Sequence, residues 1–107
     1  MPEFPGGEQA LMDFLRQEIK YPKTAARFGV QGQVVVMFVV NKDGSIGEIK
    51  IDKSVDKELD EEALRVVKKL PKFKPAYADG EPVAVWYTLP VTFKLPYGIS
   101  LMDNSKW

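Results

Sequence analysis

The sequence predicts a single α+β domain in which helices pack mainly on one face of a three-stranded sheet. Three observations predict it. Apolar residues recur at helical spacing in two stretches, near residues 8–20 and 56–70. Runs with strand character lie near residues 31–40, 45–55 and 83–95, so the order is helix, strand, strand, helix, strand. The chain has 107 residues, enough for one modest core and too few for a second ordinary domain.

The lead-in MPEFPGG is rich in Pro and Gly and reads as an extended arm over residues 1–7. EQALMDFLRQEIK then sets Leu11, Phe14, Leu15 and Ile19 at helical spacing, with Glu8 near its start. Tyr21-Pro22 ends this helix, because the residue before a proline avoids helical geometry. Pro22 opens a second short helix, PKTAARF, which Gly29 stops. In QGQVVVMFVV, Val34, Val36, Phe38 and Val40 face one side, and Val35, Met37 and Val39 face the other. A strand apolar on both faces belongs in the centre of a sheet. NKDG is a short hairpin turn into SIGEIKIDKSV. There Ile49, Ile51 and Val55 share a face while Ile46 has the opposite parity, which places a bulge near Gly47. From Asp56 to Leu70, a helix carries Leu59, Ala63, Val66, Val67 and Leu70 on one stripe. Acids crowd its first half and Lys68 and Lys69 its end, as the helix dipole favours; Pro71 closes it. KFKPAYADGEPV reads as a loop with a turn at Asp79-Gly80, and Phe73 and Pro75 within it read as packing and loop shape.

A helix between the second and third strands rules out a hairpin there, so those strands run parallel and skip a place. The sheet order is then second, first, third. The last strand, VAVWYTLPVTFKL over residues 83–95, is apolar at every odd position and holds a proline in its middle. Proline cannot donate to a ladder, and an edge strand explains it. If the odd residues bond inward, Pro90 points outward with Thr88, Thr92 and Lys94, whose main-chain groups are left unpaired. Such an edge is either defended, as Pro90 and Lys94 would do, or used to receive an extended peptide. Geometry alone leaves both readings open.

Composition excludes much. Fifteen Lys and Arg balance fifteen Asp and Glu, so no global field draws in nucleic acid or an anionic membrane. Histidine and cysteine are absent, which removes imidazole acid–base chemistry, thiol nucleophiles and Cys- or His-liganded zinc. The carboxylates Asp56, Glu58, Asp60, Glu61 and Glu62 read as a solvated, dipole-favoured helix face; a glycosidase pair would need two acids across a cleft. NKDG lacks the ligand series of a calcium loop. The expectation is a non-catalytic domain with no cofactor and no metal. VVVMFVV is far too short to span a bilayer, and no signal peptide is visible, so an address or anchor would lie outside these residues.

YP at 21–22, GVQGQVVVMFVVNKDGSI at 29–46, SVDKELDEEALRVVKKLPKFKPA at 54–76 and DGEPVAVWYTLPVTFKL at 79–95 together resemble the C-terminal domain of TonB-type energy transducers. The lead-in MPEFPGGEQALMDFL is similar to the Bacteroidetes-like form of that family. The resemblance covers nearly all of residues 1–95, in order and spacing. It implies a periplasmic domain of an inner-membrane-anchored protein, joined to an ExbB/ExbD-type proton-driven motor through an N-terminal part not included here. Such a domain grips the TonB box, a short peptide of outer-membrane TonB-dependent receptors, by strand addition to its last strand. Proton motive force is thereby coupled to uptake of siderophores, vitamins or glycans.

The resemblance implies a peptide-binding set of Tyr21 and Pro22, matching the YP motif, with Thr88, Pro90, Thr92 and Lys94 on the edge; a helix break with a packed ring is the rival account of Tyr21. Similar domains also end membrane-embedded metallopeptidase sensors, where the role would be sensing or scaffolding. The row Val35, Met37 and Val39, extended by Ala84 and Trp86, is either covered by the first helix or the arm, or is the face of a homodimer. The tail at 96–107 lies past the match and would cover the edge, extend the strand or stay mobile.

Overall fold

The computed structural model of the chain describes residues 1–95. The expectations for the tail fall outside the described residues. In chain order the elements are α1 (Gly7–Glu18), α2 (Lys23–Arg27), β1 (Gly32–Val40), β2 (Ile46–Lys53), α3 (Lys57–Val67), β3 (Ala76–Ala78), β4 (Glu81–Val83) and β5 (Val85–Phe93). β1 is central, and the sheet order is β2-β1-β5 with both pairings antiparallel, so β2 and β5 run parallel across it. The expected α+β order holds.

The alternation in β1 becomes its two faces. Val34, Val36, Phe38 and Val40 are fully buried, and opposite them stand Val91, Leu89, Tyr87 and Val85 of β5. On the other side Ile51 and Ile49 of β2 face Val36 and Phe38. The register then slips between Phe38↔Ile49 and Val40↔Ile46, which is the bulge that Gly47 implied, and a second irregularity separates Val35 from Val36. Leu11 and Leu15 of α1 and Leu59, Ala63, Val66 and Val67 of α3 close over this same face, forming one core with it. α3 starts cleanly because the Asp56 carboxylate accepts a hydrogen bond from the Glu58 N–H at 3.0 Å.

Two segments differ from the sequence reading. The Asp79-Gly80 loop is a small hairpin: β3 pairs with β4 through Ala76↔Val83 and Ala78↔Glu81. Its turn has positive φ at both Asp79 (53°) and Gly80 (80°), the backbone that tight hairpins need. Val83 therefore belongs to this hairpin, and the last sheet strand begins at Val85. Val55, expected on the core face with Ile49 and Ile51, lies past the end of β2 and is exposed. The lead-in arm is tied down: Glu3 and Lys74 exchange main-chain hydrogen bonds of 2.9 and 2.7 Å, and Phe4 is buried.

The β1–β2 turn fits the next layer tightly. Gly44 accepts a hydrogen bond from the Phe73 N–H at 2.8 Å, and a Cβ on Gly44 would stand 1.9 Å from the Phe73 carbonyl oxygen. Gly44 also sits at φ 88°. Gly44→Ala should therefore cost the roughly 1–3 kcal/mol of a left-handed non-glycine residue, plus the clash. Urea unfolding should give a lower midpoint with an unchanged slope; Gly80→Ala, where nothing stands within 4 Å, should cost only the first part.

Candidate functional site

Among the described residues β5 pairs with β1 alone, so its other edge is open. The nine-residue ladder runs unbroken through Val35↔Pro90, although Pro90 has no N–H to give. In an antiparallel pair, bonded and non-bonded positions alternate, so Thr88, Pro90 and Thr92 take the positions whose main-chain groups face away from β1. Leu95, of the opposite parity, agrees: its N–H turns back toward β1 and donates to Gln31 Oε1 at 3.0 Å. The outer edge thus offers donors at Thr88 and Thr92 and carbonyl acceptors at Thr88, Pro90 and Thr92. Lys94 stands just beyond the end of the strand.

The edge is flanked by α1. Met12, Leu15, Arg16 and Ile19 line a groove of about 190 Å³ whose other wall is Pro90, Val91 and Thr92. A strand laid along β5 would turn every second side chain toward this groove. On the opposite sheet face, Gln33 Nε2 donates to Thr92 Oγ1 at 3.1 Å, and the Lys50 ammonium lies 4.8 Å from the centre of the Trp86 ring. Trp86 is 43% exposed, and the Val35, Met37, Val39 row beside it is half-buried and outside the core.

Tyr21 is brought to the end of β5 but faces inward. Its ring meets Phe93 edge-on with centroids 5.7 Å apart, its hydroxyl donates to the Val30 carbonyl, and burial pushes its pKa up. Pro22 is the N-cap of α2 and lies in a depression against α3 rather than along β5. The six residues expected at one site thus divide: Thr88, Pro90 and Thr92 form the edge, Lys94 follows it, Tyr21 buttresses its end, and Pro22 shapes the turn behind.

The acidic start of α3 is not simply solvated. Asp60 accepts from the Ser54 hydroxyl and from the Val55 N–H, holding the loop before the helix. Glu62 has a side chain only 11% exposed. Its carboxylate receives Arg65 Nε at 2.8 Å and Nη2 at 2.7 Å, and the Lys20 main-chain N–H at 2.7 Å. Burial alone would raise this carboxyl's pKa; the hydrogen bonds from Arg65 and Lys20 outweigh it and hold it below the ordinary value. Among the described residues, no group of three or more His, Cys, Asp or Glu is gathered to hold a metal. No described helix is long and apolar enough to cross a membrane.

Residues 17–95 match the family model described as the Gram-negative bacterial TonB protein C-terminal. The chain belongs to this family. Protein TonB of Xanthomonas campestris pv. campestris (strain B100) is 34% identical over 77 residues, which are 71% of this chain and 34% of that protein. Protein tonB2 of Pseudomonas aeruginosa is 36% identical over 77 residues, 71% of this chain and 28% of that protein. This chain thus spans about a third of the length of these relatives. The solution structure of Helicobacter pylori TonB-CTD (residues 194–285) superposes with a TM-score of 0.63 at 27% identity, covering 82% of this chain and 92% of that one. The Pseudomonas aeruginosa TonB CTD gives 0.59 at 32% identity, covering 73% and 79%.

The TonB C-terminal domain is a non-catalytic one, and here Asp56, Asp60 and Glu62 make structural contacts. Sequence reasoning missed Met12 and Arg16 as groove residues and the Glu62–Arg65 pair. Arg65 at i+3 from Glu62 was the available signal. Because Glu62's folded-state pKa is lowered, its contribution to stability is present above the ordinary value of 4.5 and is lost as pH falls through the folded value. The gap in urea midpoint between wild type and Glu62→Gln should be widest near neutral pH, begin to narrow as pH falls below 4.5, and close as pH passes the lowered folded-state value. A gap independent of pH would contradict this.

Proposed function

We propose that this is the periplasmic docking domain of a TonB-type energy transducer anchored in the inner membrane. Residues 1–95 make up the domain, with 1–7 as its lead-in arm and 96–107 as a tail. Its ligand is the TonB box of outer-membrane TonB-dependent receptors, added as an extra strand to β5. An ExbB/ExbD-type motor, reached through the rest of the protein, would supply the pull that opens the receptor for its nutrient.

The observation that carries this reading is the β5 edge that pairs with no strand among the described residues: Thr88, Pro90 and Thr92 turn main-chain groups outward beside a groove lined by α1. Such an edge recognises an extended peptide by backbone geometry, with side chains adding selectivity. Tyr21 supports the end of the strand, Pro22 the turn behind it, and Lys94 continues the edge. Each main-chain bond contributes about 0.5–1.5 kcal/mol net, so affinity should be modest and tolerant of sequence. The sensor reading has less support, since the relatives that match are TonB proteins.

An NMR titration of the labelled domain with TonB-box peptides tests it. Shifts should concentrate at residues 88–95 and near Tyr21. Thr92→Pro removes one outward donor while sparing the core face, and should weaken binding about 2- to 13-fold in a folded protein. Peptide binding unchanged by it would rule β5 out as the docking edge.

The half-buried row of Val35, Met37 and Val39 beside exposed Trp86 is the surface on which a second copy would pack. Sedimentation equilibrium should then reveal a dimer that Trp86→Lys dissociates. A strictly monomeric wild type at millimolar concentration would end the dimer idea.

A further inference from the structure

We propose that the Glu62–Arg65 pair of α3 is a positioning device for the docking edge. It holds the C-terminal end of α1 at a fixed distance from β5, and so sets the width of the groove beside Pro90–Thr92. The inference rests on the docking reading above.

The end of a helix leaves carbonyl groups without partners, and a chain leaving it is free to fray. Here α3 reaches across to both sides of that end. Arg65 Nη2 donates to the Glu18 carbonyl at 2.9 Å, and Glu62 Oε2 accepts the Lys20 N–H at 2.7 Å. Between these two held residues stands Ile19, the C-cap of α1 and a wall of the groove. The grip is stiff because Arg65 forks onto the same carboxylate through Nε and Nη2, a planar two-point contact that fixes both side chains. Lys69 Nζ, 3.9 Å from Glu18 Oε1, adds only an exposed, screened pair. The charged groups around the carboxylate are Glu58 and Glu61 on α3, Lys20 in the turn and Lys23 on α2, all bordering the same depression.

Leu11 and Leu15 already anchor the middle of α1 in the core. What the pair adds is control of the last turn, which carries Arg16 and leads into Ile19. An added strand lies about 4.8 Å from β5, so its inward side chains meet α1 within a narrow range of distances. Loosening the end of α1 should therefore reduce peptide affinity more than it reduces stability.

The test compares variants matched for stability. Arg65→Met and Glu62→Ala remove the grip; Val66→Ala, a fully buried core position on the same helix, lowers stability without touching it. With a TonB-box peptide as probe, Kd is read by NMR together with the Ile19 methyl resonance, and Tm is taken separately. The grip variants should bind about tenfold more weakly and shift the Ile19 methyl, while Val66→Ala, at an equal or larger loss of Tm, binds as wild type. Glu62→Gln, which keeps an acceptor for the Lys20 N–H, should fall between. If Arg65→Met does not fold, Arg65→Lys serves, since one ammonium cannot reproduce the fork and the Glu18 contact together. Grip variants that bind as wild type, or a Val66→Ala that weakens binding as much as they do, would overturn the proposal. A wild-type domain that binds no peptide at β5 would instead overturn the docking reading, and it would do so before any substitution is made.

Discussion

Four parts of the chain meet at the ring of Phe73, a residue that belongs to no helix or strand. Phe4 of the arm approaches it edge-on at 5.5 Å, Phe38 of β1 at 5.7 Å and Tyr87 of β5 at 5.4 Å, while its N–H is bonded to the β1–β2 turn at Gly44. Edge-on rings add specific geometry to the large area that each aromatic buries. The crossover from α3 to β5 is pinned here over the central strand. The chain then enters β5 at Val85, opposite Val40, and runs the full length of β1. That entry point leaves the other edge of β5 open among the described residues.

The same cluster fixes the start of α1. Phe4 also packs on Phe14 at 5.9 Å, and the arm is bonded to Lys74, one residue past Phe73. The other end of α1 is held by Glu62 and Arg65. The helix that flanks the β5 edge is therefore secured at both ends by different physics: aromatic packing that does not respond to pH at one, and a charged, half-buried contact at the other. Only the second is weakened by acid, which makes the two separable in experiment.

Most of the sheet was legible because its signal is periodic. Nine residues of alternation in β1 and in β5 give parity, and parity gave the central strand, the edge and the outward proline. β3 and β4 were missed because three residues cannot display a period, and Pro82 argued against a strand. Their turn was nonetheless visible in Asp79-Gly80. Val55 misled because its parity continues that of Ile51, whereas β2 ends at Lys53. Glu62 was hidden for a different reason. Helical spacing says which residues share a face, but its partner Lys20 lies 42 residues away in sequence. Arg65 stands at i+3 from Glu62 and at i+4 from Glu61, so the local signal offers both acids and does not say which one is buried.

On the docking reading, Pro90 would both defend the edge and select what may use it. It withholds one donor but keeps its carbonyl, so a short strand that aligns its own donors with Thr88, Pro90 and Thr92 loses a single bond. A second β5 pairing along its whole length would bring two prolines and, in parallel register, would set Lys94 against Lys94. The penalty thus grows with the length and self-similarity of the partner. On the docking reading, an edge built this way would resist its own copies and admit a brief extended segment, which is the discrimination a docking strand needs and a merely protected one does not.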